Sequence, residues 1–411
     1  MKRKLLTQIK NEWRDNIWLV IELAVVCAVI WIVGALVYIY LRPALEPVGS
    51  DYHDVYQLDT KTVNTDSPYF TGVDGEEHPY NSDLRDLIRR LRENPNVEEV
   101  TFHNNGLPYN YNYYGRSLIR VDKVDSVAYF ANQRTGSPAL AKVMGLRSLT
   151  GKSTQQLMEI LSKGELLIAP SLSYSESGRD VMDLLGAKMV FEGDSTNVYR
   201  IGDIVENVRR TEYEPAWGGT LIFPVSEDDN VWGRVALKVK HGRDAKFKED
   251  FRNHPELRRQ RNVYLSDLTS LADIREGTQR SVVTQVRLLV VLILFLLATI
   301  FLGLLGSFWF RMQQRVGEIA IRKVCGATSA DIFRRILGEG MILLSIAVII
   351  VSALVWPFMS RISFLSSLDV WELILIEAVA VALVAAGIVV SLWWPARKAM
   401  RIEPAIALKS E

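Results

Sequence analysis

The chain has 411 residues and a formal net charge of +1, with 49% apolar and 23% charged residues segregated into separate stretches. That balance offers no basic face for nucleic acid, and the length leaves room for two or three domains. The only cysteines are Cys27, in an apolar run, and Cys325, in a basic one; the segment between residues 43 and 280 therefore has no disulfide and rests on a hydrophobic core, which its length can supply.

Residues 1–16 read as a basic N-terminal helix carrying Lys2, Arg3, Lys4, Lys10 and Arg14. The first apolar stretch, 17–41, is interrupted only by Glu22. It exceeds the roughly 20 helical residues needed to cross about 30 Å of hydrocarbon. It is also longer than the core of a secretory signal and ends in Tyr38, Tyr40, Arg42 and Pro43, so it reads as an uncleaved span.

Residues 43–280 mix helical and strand patterns. Ser82 is placed to cap a helix with Leu84, Leu87, Ile88 and Leu91 on one face, ended by Asn94 and Pro95. Strands are expected over 97–102, 165–169, 188–191, 198–205 and 231–239, and helices over 155–161 and 180–185. From Ser266 the pattern turns helical and runs without proline into the second span, 281–310. A loop at 311–339 leads to spans at 340–360 and 370–394, the latter bearing Glu372 and Glu377, and to a tail at 395–411. Arginine and lysine crowd the N-terminus, the 311–339 loop and the tail, which places all three in the cytoplasm and 43–280 outside. Trp13, Trp18, Trp309, Trp356, Trp371, Trp393 and Trp394 fall near span ends, as an aromatic belt requires. The expected fold class is four transmembrane helices with an extracytoplasmic α+β domain inserted between the first and second.

Few motifs point to chemistry. Residues 145–153 approach a phosphate loop, but five residues separate Gly145 from Gly151 where that loop has four, and the segment lies outside. His53, His78, His103, His241 and His254 are scattered, residues 74–77 lack the rest of a calcium loop, and there is no Gly-x-Ser-x-Gly elbow. No catalytic residue, metal or cofactor is expected in this chain. Tyr109, Tyr111, Tyr113 and Tyr114 among Asn and Gly neighbours suit an adaptable recognition surface outside the membrane, and equally an ordinary strand. Glu22 is either a functional intramembrane carboxylate or one paired with Arg14 or the Trp18 indole near the interface.

The loop is the most specific segment. Gly326 breaks one helix and Thr328 or Ser329 can cap the next, where Ile332, Phe333, Ile336 and Leu337 form an apolar stripe beside a basic one. Such a short helix under the membrane suits either anchoring on the surface or docking into a partner. The run Glu318-Ile-Ala-Ile-Arg322-Lys323-Val-Cys-Gly326-Ala327-Thr resembles the Glu-Ile-Gly-Ile-Arg-Lys-Ala-Leu-Gly-Ala-Ser motif of the MacB/FtsX family of ABC transporter permeases. The tail from Trp394-Pro395-Ala396-Arg397 to Pro404-Ala405-Ile406-Ala407-Leu408 is similar to that family's ending, and Trp18-Leu-Val-Ile-Glu22-Leu to first spans of permeases from Bacteroides-type bacteria.

The resemblance implies an inner-membrane protein with 43–280 in the periplasm, working as a dimer with a second copy or a paralogue. It implies a separate cytoplasmic ABC ATPase that holds ATP and Mg, contacted through Glu318, Arg322, Lys323, Gly326, Ala327, Asp331, Ile332, Phe333 and Arg334. A periplasmic adaptor, an outer-membrane channel and membrane lipids are the further partners it suggests. Nucleotide turnover would then reshape the outer domain by mechanotransmission, and spans with few charges suit a lever better than a polar pore. Export, lipoprotein release and FtsX-like control of an extracytoplasmic enzyme all remain open on these residues.

Overall fold

The computed structural model describes residues 13–71, 79–110, 112, 114–123, 128–174, 180–214, 219–226, 233–314, 316–359 and 368–400. The chain divides into two compact units, Pro43–Ser281 on the one hand and Met1–Arg42 with Val282–Glu411 on the other.

In the first of these, eleven strands form one sheet: β1 Val55–Thr62, β2 Val97–Asn104, β3 Gly115–Arg120, β4 Ala128–Gly136, β5 Leu166–Ile168, β6 Lys188–Phe191, β7 Asp194–Ile204, β8 Gly219–Pro224, β9 Arg234–Val239, β10 Arg259–Gln260 and β11 Val263–Ser270. Their order is β10-β11-β1-β9-β2-β4-β3-β6-β7-β5-β8, and β8 pairs back onto β4. The last six strands thus close into a ring, which leaves them no free edge. Leu118, Tyr129, Leu166, Met189, Phe191, Ile201 and Leu221 fill one core associated with the ring.

The open part of the sheet is covered by helices. Helix α2, Pro79–Glu93, buries Leu84, Leu87, Ile88 and Leu91 with Val100, Val235, Leu237 and Phe247. It starts three residues before the expected Ser82. Proline is tolerated at a helix start, where its missing N–H has no partner to lose. Ser82 is engaged elsewhere, accepting from Arg261 at 3.0 Å beside the fully buried Asp83, which takes Arg261 Nε at 2.6 Å and the Asn262 N–H at 3.0 Å. Helix Thr154–Ser162 matches expectation closely and starts with a reciprocal Ser153–Gln156 cap. The expected helix over 180–185 is instead one 3-10 turn, Val181–Leu184, with Asp180 accepting from Met182 N–H.

A further correction concerns residues 266–270. They are the end of β11, paired with β1, and the long helix Leu271–Gln314 begins only after them. Ser270 Oγ accepts the Asp273 N–H at 3.1 Å, which is the cap that fixes the start.

Four apolar helices are long enough to cross a membrane: α1 Trp13–Ala44, α6 Leu271–Gln314, α8 Ser329–Met359 and α9 Val370–Met400, with the short α7 Val316–Val324 before α8; all lie in the other unit except the end of α1 and the first turns of α6, which belong to the sheet-containing one. (Helices α3, α4 and α5 are Leu140–Val143, Thr154–Ser162 and Asp244–Asn253.) The first apolar window is 44% buried and that of α6 only 11%, so α1 is the packing axis. Its Leu23, Ile30 and Trp31 join Ile300, Leu344, Ala347, Val384 and Ile388 in one core. The expected separate helix below the third span is not found. Residues 329–337 are the first turns of α8 itself, because neither Gly338 nor Gly340 interrupts its hydrogen bonding.

His103, on β2, is 1% exposed. Burial, reinforced by the Arg234 and Arg134 guanidiniums, pushes its imidazole down to about 3 from 6.5. Below pH 6.5 the unfolded chain therefore takes a proton that the folded one refuses, and stability falls as pH drops from 6.5 towards 3. Unfolding curves from about pH 7 to about pH 5 should show the wild type losing up to about 1.4 kcal/mol more per pH unit below 6.5 than His103→Gln. Equal slopes in the two proteins would refute this account.

Candidate functional site

The loop motif folds as an elbow. Helix α7 stops at Gly326, whose φ of +91° is left-handed, with Ala327 N–H returning to the Arg322 carbonyl at 3.0 Å. Helix α8 then starts with a reciprocal cap: Thr328 N–H and Oγ1 donate to Asp331 Oδ2 at 3.1 and 2.6 Å, and Asp331 N–H donates to Thr328 Oγ1 at 3.2 Å. Asp331 and Arg334 are exposed, Arg322, Lys323 and Ala327 are half-buried, and Gly326 is exposed. The Glu318 side chain lies outside the described residues. The apolar stripe of α8 turns inward, contrary to a docking face. Ile332 is 5% exposed within the bundle core, and Phe333 packs edge-on against Trp393 with centroids 6.0 Å apart. What the elbow leaves open is Ile321, Val324 and Cys325 next to Asp331 and Arg334.

A second constellation, which the sequence reading missed, lies in the sheet-containing unit. The Arg209 side chain is buried and donates to the carbonyls of Pro43 at 2.6 Å, Pro47 at 3.1 Å, Glu212 at 3.2 Å and Glu214 at 3.3 Å, and also to that of Glu46. Its own N–H reaches the Val48 carbonyl at 2.9 Å. Gly49, at φ +77°, lies so close that a Cβ would stand 2.0 Å from the Asn207 oxygen, so only glycine fits. Three residues on from Arg209, Glu212 accepts from Arg275 Nε at 2.5 Å and from Tyr109 Oη at 2.9 Å, while Thr278 Oγ1 donates to the Tyr109 carbonyl at 3.3 Å. One loop, 205–214, thus fastens both the chain leaving α1 and the first turns of α6. From sequence, Arg209-Arg210-Thr211-Glu212 looks like an ordinary solvated charge run, and nothing in it announces burial.

The tyrosine group separates. Tyr109 is 2% exposed inside this joint, edge-on to Tyr52, rather than on a recognition surface; Tyr114 is exposed; Tyr111 and Tyr113 lie outside the described residues. The phosphate-loop look-alike is taken up internally, since Ser148, Thr150 and Lys152 all bond to the fully buried Asp203 at 2.6, 2.6 and 3.2 Å. His241 pairs with Asp54 and His254 with Glu256, both at 3.0 Å. Among the described residues no three His, Cys, Asp or Glu side chains come together as a metal site; His78 and residues 74–77 lie outside them.

Three of the carboxylates in the apolar helices have described surroundings that fix their place. Glu372 accepts from Tyr38 Oη and Arg42, both at 3.0 Å, closing the outer end of the α1–α9 contact. Glu377 accepts from Ser352 Oγ and from Trp356 Nε1 at 3.1 Å. Glu22 lies against Gly303 of α6, where a Cβ would stand 2.4 Å from its Oε1. The Arg14 side chain is outside the described residues, and Trp18 is 75% exposed.

Residues 290–404 match the family model described as FtsX-like permease C-terminal, a stretch that takes in the later part of α6, the elbow, α8 and α9. Among solved structures the chain is similar to the periplasmic region of MacB from Actinobacillus actinomycetemcomitans, at 12% identity and TM-score 0.33 over 57% of this chain and 97% of that one. It is also similar to the extracellular domain of the noncanonic ABC-type transporter YknZ from Gram-positive bacteria, at 9% identity and TM-score 0.31 over 52% and 100%. A search of curated proteins returned no match.

Replacing Arg209 by Met should lower the unfolding free energy by at least about 3 kcal/mol, because several buried carbonyls lose their donor at once. Faster amide exchange over residues 43–49 would report it; unchanged exchange there would count against the joint. Gly303→Ala should cost the purified protein little in thermal unfolding, because the atom in the way is the free end of the Glu22 side chain and alanine favours the helix; a large loss would contradict this geometry.

Proposed function

We propose that this chain is the permease subunit of an ABC transporter that works by mechanotransmission in the cell inner membrane. In this reading both termini and the elbow face the cytoplasm and Pro43–Ser281 faces the periplasm. A separate ATPase, holding ATP and Mg, docks on the elbow. A second permease copy or paralogue completes the dimer, with a periplasmic adaptor and an outer-membrane channel as further partners. The work done is export of a substrate already outside the membrane.

The observation that carries the reading is the joint at 205–214, which secures both chain segments bordering the apolar helices to one loop of the outer domain. A displacement of α6 at its first turns cannot leave that loop behind without breaking the Arg275–Glu212 bond and the Tyr109 contacts. The permease-domain match supports the same reading, and so does the predominantly apolar core that the described residues of the bundle form.

The polar groups that reach the surface of the elbow, exposed Asp331 and Arg334 with half-buried Arg322 and Lys323, are then the ATPase contacts, not its buried stripe. Charge reversal in Arg322→Glu with Arg334→Glu should cut both co-purified ATPase and its stimulated turnover by about tenfold or more while leaving the permease folded. Ile332→Ala should act differently, costing about 2–5 kcal/mol of bundle stability. Full complex and turnover in the double charge reversal would sink the assignment.

A further inference from the structure

Where β1 stops pairing with β9, at Leu58 opposite Val235, the sheet opens into a cleft of about 300 Å³. Thr60, His103, Asn104, Asn105, Asn112 and Arg234 are among its lining residues, and among the described residues no aliphatic or aromatic side chain joins them. Pockets of this size are usually lined by apolar side chains, so a lining built from polar residues selects an unusual occupant.

The walls are built rather than accidental. Arg234, opposite His103 in the β2–β9 register, pairs through Nε with Asp59 at 2.9 Å. Gly233 beside it leaves no room for a side chain, since a Cβ would stand 2.4 Å from the His103 oxygen. His103 Nδ1 accepts the Gly106 N–H at 3.2 Å, so the ring proton sits on Nε2. That buried Nε2 and the buried Thr60 Oγ1 have no hydrogen-bond partner among the described residues. Leaving such groups unpaired costs about 1–3 kcal/mol each, which marks the wall as waiting for polar atoms from elsewhere.

The type of atom follows from the lining. Asn104, Asn105 and Asn112 each offer donors and an acceptor in one amide, and the Thr60 hydroxyl does the same. The charged lining, Asp59 paired with Arg234 together with Lys61, carries a net positive charge that disfavours a metal cation, and the Asp59 carboxylate works against an anion. A lipid or other apolar molecule would bury all these groups unsatisfied. Hydroxyl groups, which donate and accept at once, satisfy every one of them. We propose that this cleft binds a saccharide, with Asn112 and Thr60 among the groups that hold its hydroxyls. The inference stands apart from ATPase coupling and does not depend on it.

The test uses the full-length protein in lipid nanodiscs, free of sugar detergents, with saturation-transfer NMR as the readout. The probes are tetramers of N-acetylglucosamine and of glucose, a tetra-alanine peptide and citrate. At least one tetrasaccharide should bind saturably, and Asn112→Ala and Thr60→Val should each weaken it by about tenfold at unchanged thermal stability. Asn112 is exposed, so its truncation leaves the fold intact. Binding of only the peptide or citrate, saccharide binding indifferent to both substitutions, or no binding by any probe would overturn the proposal.

Discussion

A single guanidinium organises the root of the outer domain. Arg209 spends its described hydrogen bonds on main-chain carbonyls of residues 43–47 and 212–214, with the Glu46 and Glu212 carboxylates adding their attraction. Backbone oxygens at the end of a helix and in a tight loop are acceptors that water would otherwise have to reach. Gathering them on one planar, permanently charged group ties three stretches of chain into one rigid body, with geometry that lysine, a point charge, cannot reproduce. Glu212 then extends the same knot to Tyr109, Arg275 and Thr278.

The apolar helices follow a different logic. Their core is aliphatic, with Trp31 fully enclosed and tilted against Trp356 at 5.8 Å. Polar groups occur where one helix meets another, and each described cluster is local: Tyr38, Arg42 and Glu372 at one end, Ser352, Trp356 and Glu377 a few turns along. In a medium without water such groups hold register between helices because the alternative is an unsatisfied dipole. Glu22 fits the pattern by shape, occupying the space that Gly303 leaves for want of a side chain.

Much of this was legible in the residues. Spans declare themselves because twenty apolar residues have few other uses, and the elbow because Gly326, Thr328 and Asp331 are stop and start signals with local causes. The strand 97–102 and the helix 155–161 were readable for the same reason. Local signals failed where tertiary pairing decided the matter. Residues 266–270 look helical, yet β1 recruits them into the sheet; β1 and β8 give no local sign because their partners lie far away in sequence. The joint was hidden for a related cause, since burial of Arg209 depends on carbonyls more than 160 positions earlier. Ile332 was misjudged because an apolar stripe does not reveal which neighbour it faces.

The length and continuity of α6 carry one more implication. Its 44 residues contain no proline and no break, so at 1.5 Å per residue it is a rod of about 66 Å. A rod of this kind transmits not only thrust but angular phase. Adding one residue within it would advance everything beyond by about 1.5 Å and turn it through about 100°, whereas adding seven would nearly restore the original azimuth. Axial position and azimuth along such a rod are thereby tied to residue count by the helical pitch, so any insertion changes both at once for whatever follows.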